Sequence, residues 1–318
     1  MANCNDLFQK FLSEISVTTE QRANLQRGRD AIKGKIEKYF SNELKVASPE
    51  FCLQGSYPLK TMVRPLGQED YDLDDGVYLK HTDDDISNPT PATASGWIVG
   101  AVKKHTKKNP INKKNCVRVV YAEDYHIDLP IYREIKGKPY LGTLDSNQWI
   151  LSDAKAFNDW FHTRLKKTEQ LRSCIKYLKG WKDFKSCDLK GIHLTILVGL
   201  NYVAITGRDD NSLAQTVQNI IAYLKNNSAI YNPVDTGENL IFDWSFSKIN
   251  KTIESLEKLH AKALEALDEE EKSAASQKWI TVFGTRFPEH DEEMSEGKVA
   301  AEPLSRDQRT PVKVWGKR

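Results

Sequence analysis

Residues 70–79 read DYDLDDGVYL, and the alternation inside that stretch most restricts the fold. In an extended strand, residues two apart share a face. Tyr71, Leu73, Val77 and Leu79 then form an apolar face, while Asp72 and Asp74 point the other way. A second run, YHIDLPIY (125–132), repeats the arrangement, with Ile127, Leu129 and Ile131 on one side and His126 and Asp128 on the other. If the two strands lie close together in one sheet, Asp72, Asp74 and Asp128 converge. Two unit charges ~4 Å apart repel by roughly 4 kcal/mol at an effective dielectric of 20, so such a cluster calls for cations. Carboxylate donors point toward Mg²⁺, a hard oxygen-binding ion.

Other readings of the acids stay open on this pattern alone. One is a solvated acidic strand end. Another is a hairpin with Asp75-Gly76 as a type I′ turn, which leaves arms of only about four residues. A calcium loop fails, because the D-x-[DN]-x-[DN]-G pattern started at Asp70 meets Asp75 where glycine is required. Asp70 and Asp75 are read as spare acids. Asp75 has the core-facing parity and is expected to bond to local backbone.

Period-two segments recur in the first half of the chain: FCLQ (51–54), YDLDDGVYL (71–79), NCVRVVYA (115–122) and YHIDLPIY (125–132). Helical spacing marks residues 18–44, opened by a capping box of Thr18 and Gln21, and a second helix around Pro91–His105. From Ser152 onward the pattern is helical. Phe157, Trp160, Phe161, Leu171, Ile175, Leu178 and Trp181 mark one or two amphipathic helices, and residues 192–205 a buried core helix. Another helix follows an Asn211/Ser212 cap, and one long polar helix is predicted from about Lys248 to Phe283. Strands followed by helices predict an α+β fold of two lobes. The expected division is 1–150, including the long N-terminal helix, then a helical domain at 151–288 and a flexible tail at 289–318.

Composition narrows the function classes. A formal charge of +2 over 318 residues shows no global bias toward nucleic acid or membrane. Five scattered cysteines without a CxxC pair or Cys/His cluster argue against structural zinc and a disulfide framework. The most apolar run, 192–205, is shorter than the ~20 residues a bilayer needs. The N-terminus lacks signal-peptide features, so a cytoplasmic protein is expected.

Gly55-Ser56 follows FCLQ and precedes YPLKTMVR, which is read as a short helix. A Gly-Ser turn at a helix start offers N–H groups and a hydroxyl to phosphate oxygens. Taken together, QGSYPLKTMVRPL, DYDLDDGVYL and YHIDLPIY resemble the DNA polymerase β-like nucleotidyltransferases, and among them the bacterial cGAS-like CD-NTases. The resemblance covers roughly residues 1–290. It implies a nucleotidyltransferase core with a mixed β-sheet and flanking helices, a C-terminal helical lobe, and nucleotides bound between them. It also implies two divalent ions, Mg²⁺ or Mn²⁺, held by Asp72, Asp74 and Asp128. One would activate an attacking ribose hydroxyl and the other would stabilise departing pyrophosphate. Gly55 and Ser56 would hold the β- and γ-phosphates of ATP and/or GTP. The implied product is a cyclic di- or oligonucleotide that acts on a downstream effector in antiphage signalling. A template-independent polymerase making linear products, or a nucleotide-binding module without catalysis, are the competing readings.

The helical half adds cationic candidates. CIKYLKGWKDF (174–184) places Lys176 and Lys179 three residues apart on one helix face. Lys179 ahead of Trp181 matches a Lys-x-Trp setting in which relatives contact the triphosphate; a surface lysine is the alternative. GIHLTILV (191–198) lacks the Ser–aromatic pair that relatives carry there. Six lysines in KKHTKKNPINKKN (103–115) read as a solvated loop, or as a means of steering NTPs or contacting a nucleic-acid activator. His126 is either a substrate contact or a structural partner of a carboxylate, and Arg64 either a phosphate contact or a surface residue. The zinc-thumb cysteines of DNA-activated animal relatives are missing, so DNA activation is not implied. PVKVWGKR, with Trp315 and Gly316, is either a disordered end or a site for conjugation to a protein partner.

Overall fold

The computed structural model describes residues 2–67, 71–80, 89–122, 125–165 and 168–290. Asp70 and the readings placed on Trp315, Gly316 and the rest of 291–318 lie outside the described residues.

Helix α1 (Asn5–Ile15) leads into α2 (Thr19–Tyr39). The expected capping box forms: the Thr18 hydroxyl accepts from the Gln21 N–H at 3.1 Å, and the Gln21 side-chain oxygen accepts from the Thr18 N–H at 2.9 Å. The first lobe continues through β1 (Glu50–Gln54), β2 (Tyr71–Leu79), α3 (Pro91–Val102), β3 (Ile111–Asn112) and β4 (Val117–Val120). It is completed by β5 (Tyr125–Leu129), β6 (Ile131–Ile135), β7 (Lys138–Thr143) and β8 (Gln148–Leu151).

The sheet is built around β2. β1 runs antiparallel along one edge, with Gln54 opposite Asp74. β5 and β6 run parallel along the other edge in one unbroken register, from Tyr71 opposite Tyr125 to Leu79 opposite Arg133. The segment expected as a single strand at 125–132 is interrupted at Pro130, which has no N–H to give the ladder. Its carbonyl still accepts from the Val77 N–H at 2.8 Å, so the line continues across the break. β4 and β3 extend the sheet beyond β5, and β7 and β8 extend it beyond β6, in each case antiparallel. Strands β7 and β8 carry no clean alternation and went unread in the sequence.

The apolar face of the sheet takes the helices. Leu25, Ile32 and Ile36 of α2 and Ala94, Ile98 and Val102 of α3 join Leu73, Val77, Ile127 and Leu129 in one core. This covering is what leaves the acidic face free to border a cleft. The hairpin reading of Asp75-Gly76 is overturned, since β2 runs straight through both residues. Asp75 does face the core, but its partner is an ion rather than local backbone: Arg29 of α2 donates to it at 2.7 and 3.3 Å. Burial pushes the Asp75 carboxyl above its ordinary range, and the guanidinium opposes that push.

The second lobe comprises α4 (Ala154–Leu165), α5 (Gln170–Lys185), α6 (Gly191–Asn201), α7 (Asp209–Asn227), α8 (Phe246–Asp268) and α9 (Lys272–Phe283), with a small hairpin of β9 (Tyr231–Asn232) and β10 (Asp235–Asn239). The single helix expected at 248–283 is therefore two, broken at 269–271, where Glu269 and Glu271 take extended backbone. The core helix expected at 192–205 is α6, buried along most of its length. No helix among the described residues is long and apolar enough to cross a membrane. Helix α1, first in the chain, belongs to this second core. Phe8 meets Tyr177 and Trp279 edge-on at 5.0 and 4.8 Å between ring centres. The mixed sheet plus a helical lobe is the α+β arrangement expected from the sequence.

Arg29→Met leaves Asp75 buried without its counter-ion and is expected to cost about 3–5 kcal/mol in chemical denaturation. The double variant Arg29→Met/Asp75→Leu is expected to recover most of that loss.

Candidate active site

Register places the acids. Gln54, Asp74, Asp128 and Arg118 stand opposite one another in a row across β1, β2, β5 and β4. Asp72 and His126 are direct neighbours in the adjacent row. Residues facing each other across a ladder present their side chains on the same face, so parity and register bring Asp72, Asp74 and Asp128 together. Ligand atoms of Asp72, His126 and Asp128 all lie within 4.8 Å of one another.

The cluster is electrostatically unbalanced. Burial, then the charges of Asp72 and Asp128, hold the Asp74 carboxyl well above the usual carboxylate range. Asp128 receives a bidentate fork from Arg118, with Nε and Nη2 at 2.8 and 2.7 Å. The Cys116 thiol sits beside Asp128, its own ionisation suppressed by burial and by that carboxylate. Crowded oxygen donors with a raised carboxyl among them are the donor chemistry that a hard divalent cation relieves, and these residues fit one.

Gly55 explains itself by geometry. Its φ is +69°, and a Cβ there would stand 2.5 Å from Oδ2 of Asp74, so any other residue would both strain the backbone and push the carboxylate away. The short helix expected over YPLKTMVR does not form. Residues 55–60 make a run of turns, with Thr61 N–H donating to Ser56 O at 3.0 Å and Lys60 at φ +57°. A proline N that cannot donate and a left-handed lysine preclude a regular helix there. The N–H groups near Ser56 thus belong to a turn.

Gly55, Ser56, Asp72 and Asp74 line a cleft of about 620 Å³, faced across the gap by Lys179, Asp183, Ile192 and Thr195 of the helical lobe. Lys179 is buried. Its ammonium donates to Thr61 O at 2.9 Å, and burial lowers its pKa to about 8 against the pull of Asp72. Arg172 donates to Leu59 O at 2.9 Å, so two cations of α5 pin the segment that follows the Gly-Ser turn. Lys176, expected beside Lys179 on the nucleotide, points elsewhere. Its ammonium meets the Ser16 hydroxyl at 3.0 Å, and it does not border the cleft. The two share a helix face, so what separates them is the partner each ammonium reaches, Ser16 for Lys176 and Thr61 for Lys179. Arg64 also stays outside the cleft lining, pairing with Glu14 at 3.1 Å. The six lysines of 103–115 are exposed, as a solvated loop requires.

Several residues of the site were unread in the sequence. Arg118 carries the Asp128-facing parity within VRVV, and that alternation was the available signal. Thr61, Tyr132 and Thr195 reach the cleft or its lysine only through the tertiary fold.

Gly55→Ala is expected to cost about 1–2 kcal/mol of stability from left-handed strain and to weaken Mn²⁺ binding, measured by loss of the free-ion resonance. A second test follows from Asp74. With its folded value raised, the unfolded chain gives up this proton first as pH rises. The metal-free protein therefore loses stability as pH climbs from about 4 through the raised value. Asp74→Asn is expected to flatten that slope in denaturation curves.

Known proteins show the same construction. Residues 49–132 match the family described as "Cyclic GMP-AMP synthase DncV-like, nucleotidyltransferase domain". A cyclic GMP-AMP synthase of Escherichia coli (strain TW11681) is 25% identical over 305 residues, covering 77% of this chain and 69% of that protein. Among solved structures, Vibrio cholerae DncV cyclic AMP-GMP synthase in complex with nonhydrolyzable GTP superposes with a TM-score of 0.78 at 19% identity, covering 90% of this chain and 97% of that one. The Bradyrhizobium diazoefficiens CD-NTase CdnG in complex with GTP gives 0.73 at 13% identity, over 88% and 95%. With the acidic face, the glycine-serine turn and the two-lobed fold in place, residues 49–132 carry a DncV-like nucleotidyltransferase domain, and the chain is similar to bacterial cGAS-like CD-NTases along most of its length.

Proposed function

We propose that the protein joins ATP and/or GTP into a cyclic di- or oligonucleotide second messenger, releasing pyrophosphate at each bond. The observation that carries this reading is the register that gathers Asp72, Asp74 and Asp128 on one sheet face, with Asp72 and Asp74 lining a cleft that also presents Gly55-Ser56 and Lys179. In each step an acceptor ribose hydroxyl attacks the α-phosphorus of a triphosphate. The new P–O bond forms as the bond to pyrophosphate breaks, and the hydroxyl proton leaves to solvent or a carboxylate.

Asp72, Asp74 and Asp128 would hold two Mg²⁺ or Mn²⁺ ions, which when bound supply charge neutralisation at the phosphates and acidify the attacking hydroxyl. The chain does the positioning. The turn at Gly55 and Ser56 offers its N–H groups and hydroxyl to the β- and γ-phosphates, and Gly55 keeps Asp74 in place. Lys179 aims a cation into the cleft from the helical lobe, held there by Thr61. Ile192 and Thr195, in the stretch where relatives carry a Ser–aromatic pair, line the opposite wall. ATP and GTP are cytoplasmic metabolites, which agrees with work in that compartment. A soluble messenger needs a downstream effector, and an antiphage role follows for a product of this class.

Incubation with labelled triphosphates and Mg²⁺ is expected to give a phosphatase-resistant product, lost in Asp72→Asn/Asp74→Asn. A linear ladder grown on a supplied primer would instead identify a template-independent polymerase. Nucleotide binding in calorimetry without pyrophosphate release would identify a binding module. Lys179 gives a separate test. A triphosphate beside it restores the proton that burial disfavours, so binding of a nonhydrolysable triphosphate at pH 9 takes up a proton. Calorimetry in two buffers of different ionisation enthalpy reads that uptake. Affinity weakens as pH rises through about 8, and Lys179→Arg removes the dependence.

A further inference from the structure

Arg118 is a cation on the acidic face, and its position follows from the sheet. It stands opposite Asp128 in the β4–β5 ladder, as Asp128 stands opposite Asp74 in the β5–β2 ladder. Both nitrogens of its fork lie within 2.8 Å of the two Asp128 oxygens. The Asp128 side chain is 9% exposed, and the Arg118 side chain 27%. The guanidinium therefore has a path to solvent that the carboxylate lacks.

We propose that Arg118 is the resident counter-ion of Asp128 in the metal-free protein, and that a divalent cation loads by exchange: the guanidinium leaves the carboxylate as the metal takes it. The inference rests on the reading of these aspartates as metal ligands. The chemistry is competition for one set of lone pairs. A bidentate fork engages both carboxylate oxygens. A divalent ion close enough to bind those oxygens lies within a few ångströms of the guanidinium and repels it, with little water between to screen the two. Without a resident cation, three carboxylates would gather on one face while the sheet forms. With Arg118 in register, the face assembles before metal arrives, and Asp128 is held in orientation until then. Side-chain length serves this role, because the guanidinium swings out on a flexible stem while its backbone stays in the β4 ladder.

The test is the Arg118 Nε–H resonance in the full-length protein, assigned by its disappearance in Arg118→Lys and by its shift in Asp128→Asn. Without divalent ions it is expected to be downfield and protected from exchange with water. Titration with Mg²⁺ to saturation is expected to abolish that protection while the Gly55 amide shifts. As a second measurement, Arg118→Met is expected to bind Mn²⁺ more tightly than the wild type, read from the free-ion resonance. Protection that persists at saturating Mg²⁺, with the Gly55 amide shifted, overturns the exchange and makes Arg118 a permanent support of Asp128. A resonance unprotected before any metal is added, or weaker Mn²⁺ binding in Arg118→Met, also overturns it. No shift at Gly55 at any Mg²⁺ concentration removes the metal reading itself, and the inference with it.

Discussion

Carboxylate repulsion governs how this protein is put together. Three aspartates are brought to one face by strands that are parallel and in register, and each must be brought there against the charge of the others. The sheet supplies the rigidity that tolerates this. β2 is paired along both edges, by β1 on one side and by the β5–β6 line on the other, and its apolar face is sealed by α2 and α3. A strand held on three sides cannot relax its side chains apart. The same covering directs the acids outward, into the gap between the lobes.

Cations then enter at chosen places. Arg29 neutralises Asp75 on the core side, Arg118 forks Asp128 on the acidic face, and Lys179 faces Asp72 and Asp74 from the helical lobe. Among the described residues Asp74 has no such side-chain cation in hydrogen-bond contact, and burial with two neighbouring carboxylates holds its ionisation well back. The site thus sets this suppressed carboxyl against the Gly55 turn. On the proposed function, a cation held between Asp74 and the substrate phosphates would satisfy both sides.

How much of this was legible in the sequence depended on whether the information was local. The parity of Asp72 and Asp74 in YDLDDGVYL and of Asp128 in YHIDLPIY was readable, because alternation is a property of neighbours along the chain. So was the Thr18–Gln21 cap, whose partners are three residues apart. Register between β2 and β5 was not readable, and it took the resemblance to bring the strands together. The helix expected after Ser56 failed because a tertiary tether, Lys179 on Thr61, and the strained turn at Lys60 outweigh local helix preference there. Lys176 shows the same limit from the other side. Its spacing from Lys179 is helical, but whether a lysine meets a nucleotide or Ser16 is decided by where α1 packs. The break between α8 and α9 falls in a run of glutamates, which gave no glycine or proline to announce it.

The place of α1 has a consequence for how the chain is made. Phe8 and Phe11 precede the sheet lobe in the chain, yet they pack against Tyr177, Trp279, Phe283 and Phe287, which follow it. The sheet lobe can close while synthesis is still under way, since its elements are contiguous after α2. The aromatic knot cannot, and it must wait until Phe287 has been made before its loop-closure entropy is offset. During that interval an apolar helix is left without a home, which is the condition under which nascent chains recruit chaperones or aggregate. The helical lobe, and with it the wall of the cleft that carries Lys179, is therefore finished last, so a prematurely terminated chain would hold the acidic face without the half of the site that answers it.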